Sequence, residues 1–255
     1  MNNKHIMIPK IIHYCWLSDD PIPVQLQECM KSWKEKLPDY EWIKWDFKRF
    51  DKYSSSWVSQ AFDNKKYAFA ADYIRLYALY NYGGIYLDMD VEVLKSYDDF
   101  LELNSMICFE NSKDGRLEVA AFGVEKGSSW VKDCLGYYSN RCFVKEDGTF
   151  DTKVLPGIIK NCLIQNGYTL KPVSSIAEAR SCSGKEIPVF PYQYFSPKSY
   201  GTGKIEKSDL TYSIHHFAGT WLPWYTSIEK KICASLGLTY RDTCRNILRR
   251  LGFNV

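Results

Sequence analysis

No stretch of the 255 residues approaches the roughly 18 uninterrupted apolar positions of a membrane-spanning helix. The opening MNNKHIMIPKII has neither a long apolar core nor a small-residue cleavage site, so no secretory leader is expected there. Charge of one sign is also missing. The 33 basic and 30 acidic residues leave +3, too balanced for a dedicated nucleic-acid binder, and no nucleic-acid partner is expected. The nine cysteines, at positions 15, 29, 108, 134, 142, 162, 182, 233 and 244, are odd in number, scattered and without C-x-x-C. That pattern fits neither a zinc ribbon nor a secreted disulfide framework. Internal repeats and low-complexity blocks are absent as well. These absences leave a reduced, cytoplasmic globular chain with mostly buried thiols, consistent with 45% hydrophobic and 25% charged residues.

What the chain does have is aromatic side chains, 16% of the total with 19 Tyr and 8 Trp. They serve packing, or stacking on bases and sugars, and composition alone does not choose. Ile6 to Trp16 reads as a short buried strand, followed by a turn at Ser18-Asp19-Asp20-Pro21. Helices are predicted over 23–36, 57–62, 128–140 and 153–166, and strands over 40–45, 106–109, 119–124 and 187–190. The clearest helix runs from about Tyr67 to Tyr82 and stops at Gly83-Gly84, where glycine supplies a left-handed cap. Strict alternation follows: Ile85, Leu87, Met89, Val91 and Val93 share one face, and Tyr86, Asp88, Asp90 and Glu92 the other. Strands alternating with helices predict an α/β sandwich.

The chemistry concentrates in that alternating segment. Period-two geometry points Asp88 and Asp90 to one side, roughly 7 Å apart. Two carboxylates that close repel, and a divalent cation removes the repulsion while bridging a diphosphate. A bare D-x-D is a weak sign on its own, and its place after a helix closed by Gly-Gly strengthens it. On the preceding helix Asp72 and Arg75, three apart, project from one face. They form either a weak surface ion pair or, in a segment rich in alanine and aromatics, a buried pair aimed at sugar hydroxyls and phosphate.

The run from Ala71-Asp72-Tyr73-Ile74-Arg75-Leu76 through Gly83-Gly84-Ile85-Tyr86-Leu87-Asp88-Met89-Asp90 resembles A-D-x-x-R…L…G-G-x-Y-x-D-x-D. That pattern marks the DXD sugar-binding glycosyltransferases, family 32 of the retaining transferases, of the capsular or surface polysaccharide type. The group is distantly similar to the catalytic domains of large clostridial glucosylating toxins. Ile8 to Trp16 is similar to the family's opening I-P-K-x-I-H-x-x-W, and His215-His216-Phe217-Ala218-Gly219-Thr220-Trp221 to an H-x-x-G element followed by Trp.

The resemblance implies a GT-A-type fold, a mixed central sheet flanked by helices, over residues 1–227, with C-terminal amphipathic helices. It implies retaining transfer of a hexose or N-acetylhexosamine from a nucleotide-sugar donor, a UDP-sugar foremost, to a glycan or lipid-linked acceptor. Mn²⁺ is the implied metal, with Mg²⁺ the alternative. Asp72, Arg75, Asp88 and Asp90 are the implied catalytic set. Pro9, Ile11, His13, Trp16, Tyr86, Thr220 and Trp221 join Asp72, Arg75 and Asp88 around the donor, with Trp16 stacking on the base. Asp88, Asp90 and His216 would hold the metal, His216 aligning better than His215. Between 95 and 210 the resemblance is slight, and Glu110-Asn111 is either a polar strand end or part of the site.

Residues 228–255 form a separate basic segment. Six basic residues against Glu229 and Asp242 give +4, the whole positive excess. Tyr240, Cys244, Ile247, Leu248 and Leu251 recur at helical spacing. Such a helix packs on the body or docks peripherally on an anionic membrane. Three other readings remain open: a toxin-like transferase acting on protein, a metal-dependent nucleotidyltransferase or phosphohydrolase, and a non-catalytic sugar-binding module.

Overall fold

The computed structural model describes residues 7–111 and 115–219. The expected boundary at 227/228 and the basic segment, like Thr220 and Trp221, lie outside the described residues. In chain order the elements are β1 (Ile11–Cys15), α1 (Val24–Lys36), β2 (Glu41–Trp45), α2 (Ser56–Asp63), α3 (Tyr67–Tyr82), β3 (Gly84–Leu87) and β4 (Val91–Val93). Then come β5 (Ser105–Met106), β6 (Ala121–Val124), α4 (Ser129–Gly136), α5 (Leu155–Gln165), β7 (Thr169–Pro172), α6 (Ile176–Ala179), β8 (Glu186–Val189) and β9 (Ser213–His215). None of the described helices is long and apolar enough to cross a membrane.

The central sheet has the order β2-β1-β3-β6-β5. Strand β1 runs parallel to both β2 and β3, while β6 is antiparallel to β3 and β5, so the sheet is mixed. Helices cover both faces, which makes its strands apolar on both sides. On one face Trp57, Ile74, Leu76, Phe122 and Trp130 pack in a single cluster, drawing on α2, α3, β6 and α4. On the other, Leu26 and Trp33 of α1 meet Ile12, Ile85 and Leu87 with Phe190, Tyr194 and Phe195. The α/β class read from the alternating pattern is the class observed.

The alternation of the acidic segment holds, but its continuity does not. Ile85, Leu87, Met89, Val91 and Val93 all enter the same core cluster. The strand nevertheless breaks at Asp88, where Val91 N–H donates to the Asp88 carbonyl at 3.0 Å to close a turn. Chain beyond the turn leaves the main sheet and, as β4, pairs antiparallel with β9. Helix α1 pins it there: Trp33 Nε1 donates to the Val91 carbonyl at 2.6 Å, and Val93 N–H donates to Ser32 Oγ at 2.8 Å. The two aspartates thus sit on a turn between two sheets.

Gly83 and Gly84 set how closely α3 approaches β1. Gly83 has φ +67° and caps α3 with its N–H on the Leu79 carbonyl at 2.9 Å. Gly84, at φ +103°, lies so near β1 that a Cβ would stand 2.6 Å from the Ile11 carbonyl oxygen. His13, fully buried in β1, locks this junction from below. Trp45 Nε1 donates to His13 Nδ1 at 3.1 Å, which leaves Nε2 as the donor to the Gly83 carbonyl at 2.8 Å. Burial outweighs that hydrogen bond and lowers the His13 pKa to about 4.

The unfolded chain therefore takes up a proton at His13 before the folded one does. The associated stability is fully present above pH 6.5 and is lost as pH falls from 6.5 to about 4. Over that window wild type is expected to lose about 3 kcal/mol more than a His13→Gln variant, measured by urea unfolding at stepped pH. Parallel pH profiles for the two proteins would refute this role for His13.

Candidate active site

The C-terminal ends of the parallel strands β1 and β3 open onto a cavity of about 490 Å³, the end of an open α/β sheet where ligands commonly bind. Each wall comes from a different element. Trp16 follows β1, Asp72 and Arg75 come from α3, Tyr86 and Asp88 from the end of β3, Asp90 from the turn, and His215 from β9. Trp16 is held by its own loop, with Nε1 donating to the Asp20 carbonyl at 2.9 Å, so its ring has a set orientation at the cavity wall.

Arg75 is 5% exposed and organises the carboxylates. Its Nη1 donates to the Val119 carbonyl at 2.8 Å. Nη2 stands 3.2 Å from Asp72 Oδ1 and 3.3 Å from Asp88 Oδ1. The guanidinium lies 4.4 Å from the Tyr86 ring centroid, and Tyr86 Oη donates to Asp88 Oδ1 at 3.0 Å. Arg75 Nε is buried without a hydrogen-bond partner, an orphan donor at the cavity wall. Burial works against the Arg75 cation, but Asp88, Tyr86 and Asp72 hold its pKa above the ordinary value.

The acids differ in state because their surroundings differ. Burial lifts the Asp72 carboxyl to about 6, against the pull of Arg75, with Asp88 adding to the rise. Burial also raises Asp88, opposed by Arg75. At Asp90 burial acts in the same direction but is overcome by His215 and by the Ala218 N–H, which donates to Oδ2 at 2.7 Å, and its pKa falls to about 2. His215 has Nε2 3.5 Å from Asp90 Oδ2 and Nδ1 3.1 Å from Glu118 Oε2. Burial lowers its pKa, yet the two carboxylates more than reverse this and raise it well above the ordinary value.

Ligand atoms of Asp88, Asp90 and His215 lie within 4.8 Å of one another. Two carboxylates and an imidazole at that spacing are a donor set suited to Mn²⁺ or Mg²⁺, and the orphan Arg75 donor beside them fits an anionic ligand. The histidine that the structure brings to the two aspartates is His215, where His216 is the one expected. His216 faces the other way, with Nε2 2.8 Å from Glu92 Oε2, because adjacent residues at the end of β9 point to opposite sides. Pro9, Ile11 and His13 do not line the cavity. They lie at or below the junction with Gly83 and Gly84. Trp16, Asp72, Arg75, Tyr86, Asp88 and Asp90 are brought together as expected. Glu110 and Asn111 do not line the cavity either, and the Glu110 carboxylate faces Arg116 Nε at 3.9 Å.

Sequence reading missed Glu118 and Phe217. Glu118 is an acid inside the apolar run Leu117-Glu118-Val119-Ala120-Ala121-Phe122, a visible oddity. Phe217 has φ +52°, rare for an aromatic residue, and its ring centroid lies 3.9 Å from that of His215.

Comparison with known proteins finds matches to part of the chain. Residues 23–111 match the family described as "Glycosyltransferase sugar-binding region containing DXD motif". Inositol phosphoceramide mannosyltransferase 3 of Schizosaccharomyces pombe is 36% identical over 104 residues, covering 39% of this chain and 29% of that protein. Mannosyl phosphorylinositol ceramide synthase SUR1 of Saccharomyces cerevisiae is 33% identical over 122 residues, covering 44% and 32%. An uncharacterized glycosyltransferase of Acanthamoeba polyphaga mimivirus is 34% identical over 105 residues, covering 38% and 41%. Among solved structures, PaToxG glycosyltransferase superposes with a TM-score of 0.49 at 19% identity, covering 63% of this chain and 70% of that one. Residues 23–111 are thus similar to the sugar-binding region of DXD-containing glycosyltransferases. The matched segments span only about a third of the length of the first of these curated relatives.

The two adjacent histidines give a direct test. Replacing His215 by Ala is expected to weaken Mn²⁺ binding by at least about tenfold, the scale already known for outer partners of ligands. His216→Ala should bind as wild type does. Titration of free Mn²⁺ by electron paramagnetic resonance reads both, and the reverse order would restore His216 as the ligand.

Proposed function

We propose that the protein is a metal-assisted retaining glycosyltransferase that moves a hexosyl group from a nucleotide-activated sugar to a saccharide or lipid-linked acceptor. One observation carries the reading. Asp88, Asp90 and His215 converge in the same cavity as Arg75, Asp72 and the Trp16 ring. The described lining holds Asp20, Asp72, Asp88 and Asp90, with Arg75 as its one permanent cation. A diphosphate entering this surface meets repulsion unless a divalent cation accompanies it.

A bound Mn²⁺ or Mg²⁺ would supply charge neutralisation for the departing diphosphate. The chain's own residues do the rest. The Trp16 ring offers a face for the base, and Asp72 accepts hydrogen bonds from donor-sugar hydroxyls. The Arg75 guanidinium adds positive potential where negative charge develops. A front-face route, in which the diphosphate takes up the acceptor proton, needs no enzymic nucleophile.

Similarity supports one choice of sugar. The fungal relatives are named as an inositol phosphoceramide mannosyltransferase and a mannosyl phosphorylinositol ceramide synthase, which favours a mannosyl donor over the other hexoses. Their named acceptors are lipid-borne. An apolar stretch of wall formed by Pro21, Pro23, Phe69 and the half-exposed Val154 suits an acceptor with an apolar portion.

Incubation with a panel of UDP- and GDP-sugars and Mn²⁺ should release nucleoside diphosphate from at least one donor. Asp88→Asn is expected to lower that rate by about 10²–10³-fold with little change in thermal unfolding. Proton NMR of the product should show the donor's anomeric configuration preserved. Failure to bind or turn over any nucleotide sugar, with Mn²⁺ bound, would contradict the proposal.

A further inference from the structure

Glu118 does not line the cavity, yet it stands directly behind His215, which does. It is 3% exposed and lies just before β6. Its backbone N–H is fixed on the Cys108 carbonyl at 2.8 Å, and its Oε1 accepts from Ala120 N–H at 2.7 Å. These two bonds leave Oε2 aimed at His215 Nδ1, 3.1 Å away.

The three residues Glu118, Val119 and Ala120 form one strip that touches three site residues in turn. Glu118 meets His215, the Val119 carbonyl accepts from Arg75, and the Ala120 carbonyl accepts from Asp88 N–H at 2.7 Å. The imidazole of His215 therefore bridges Glu118 on one nitrogen and Asp90 on the other.

We infer that Glu118 is a positioning residue for the metal site, which holds the His215 ring with Nδ1–H toward itself so that Nε2 is presented to a divalent cation shared with Asp88 and Asp90. The inference rests on the metal-assisted reading above. A histidine ligand needs its second nitrogen tied down, since a free ring rotates and offers either tautomer. A carboxylate partner both selects the tautomer and makes the ligating nitrogen more basic, and losing such a partner costs 10- to 100-fold in metal affinity. Glu118 also brings a negative charge close to the cation without occupying a coordination position. Phe217, packed over the ring, limits its tilt from the other side.

The test compares Mn²⁺ dissociation constants, measured by electron paramagnetic resonance without any sugar donor, for wild type, Glu118→Gln and Glu118→Ala. The amide of Glu118→Gln keeps an acceptor for Nδ1–H but loses the charge, and affinity should fall about tenfold. Glu118→Ala also loses the tether, and the fall should approach 100-fold. Wild-type affinity in both variants, with Mn²⁺ bound tightly by wild type, would overturn the assignment of Glu118 and leave the metal site standing. Absence of Mn²⁺ binding by wild type would overturn both. Because the buried Ala120 contact makes folding of the variants uncertain, wild type is also examined by ¹⁵N NMR with Mg²⁺. His215 should then appear protonated at Nδ1 with Nε2 perturbed by the ion, and protonation at Nε2 would overturn the inference.

Discussion

The interaction on which the site depends is electrostatic: buried carboxylates gathered around too little positive charge. Asp72 and Asp88 share one Arg75 nitrogen at 3.2 and 3.3 Å, and Asp90 and Glu118 share one imidazole. Burial of an unpaired carboxylate is costly, and the pKa values of Asp72, Asp88 and His215 are all raised. A divalent cation would relieve the same excess more directly, taking the place of the imidazole proton as the counter-charge. The proposed affinity of the cavity for a metal-complexed diphosphate rests on this imbalance.

Holding those acids together demands a rigid frame, and the fold supplies it through a sheet whose acidic strand stops at the right residue. The Gly83-Gly84 junction lets α3 end directly against β1, which sets Asp72 and Arg75 above the tip of β3. The turn at Asp88 then sends the chain into a second small sheet with β9. Pairing of Val91 with His215 brings residues more than a hundred positions apart to one point. Asp90 is held twice by the chain it meets there, through its carbonyl to His216 N–H and through its carboxylate to Ala218 N–H.

Much of this was legible in the sequence where local rules dominate. Helix α3 and its glycine stop, the apolar face of Ile85 to Val93, and the pairing of Asp72 with Arg75 all follow from short-range periodicity and capping. The break at Asp88 was not legible, because it comes from α1 and β9 capturing the chain beyond it. Which of His215 and His216 stands beside the aspartates was not legible for a similar reason. Which of two neighbours faces the site is decided by the register of a three-residue strand against β4, and that register is a tertiary property. His13, Pro9 and Ile11 lie within a motif that resembles a donor-binding element, but His13 is fully buried in β1 and none of the three lines the cavity. Glu118 shows the opposite case, a residue whose acidic character inside an apolar run was visible while its partner was not.

The central claim is that one cation is shared by Asp88, Asp90 and His215. Crystals grown with Mn²⁺ and a nucleoside diphosphate, with anomalous data collected at the manganese edge, test it most directly. The account predicts one strong peak about 2.0–2.2 Å from the His215 Nε2 and from an oxygen of each aspartate, in contact with the diphosphate. A manganese peak elsewhere, or a diphosphate bound with no metal between it and these three residues, would contradict it.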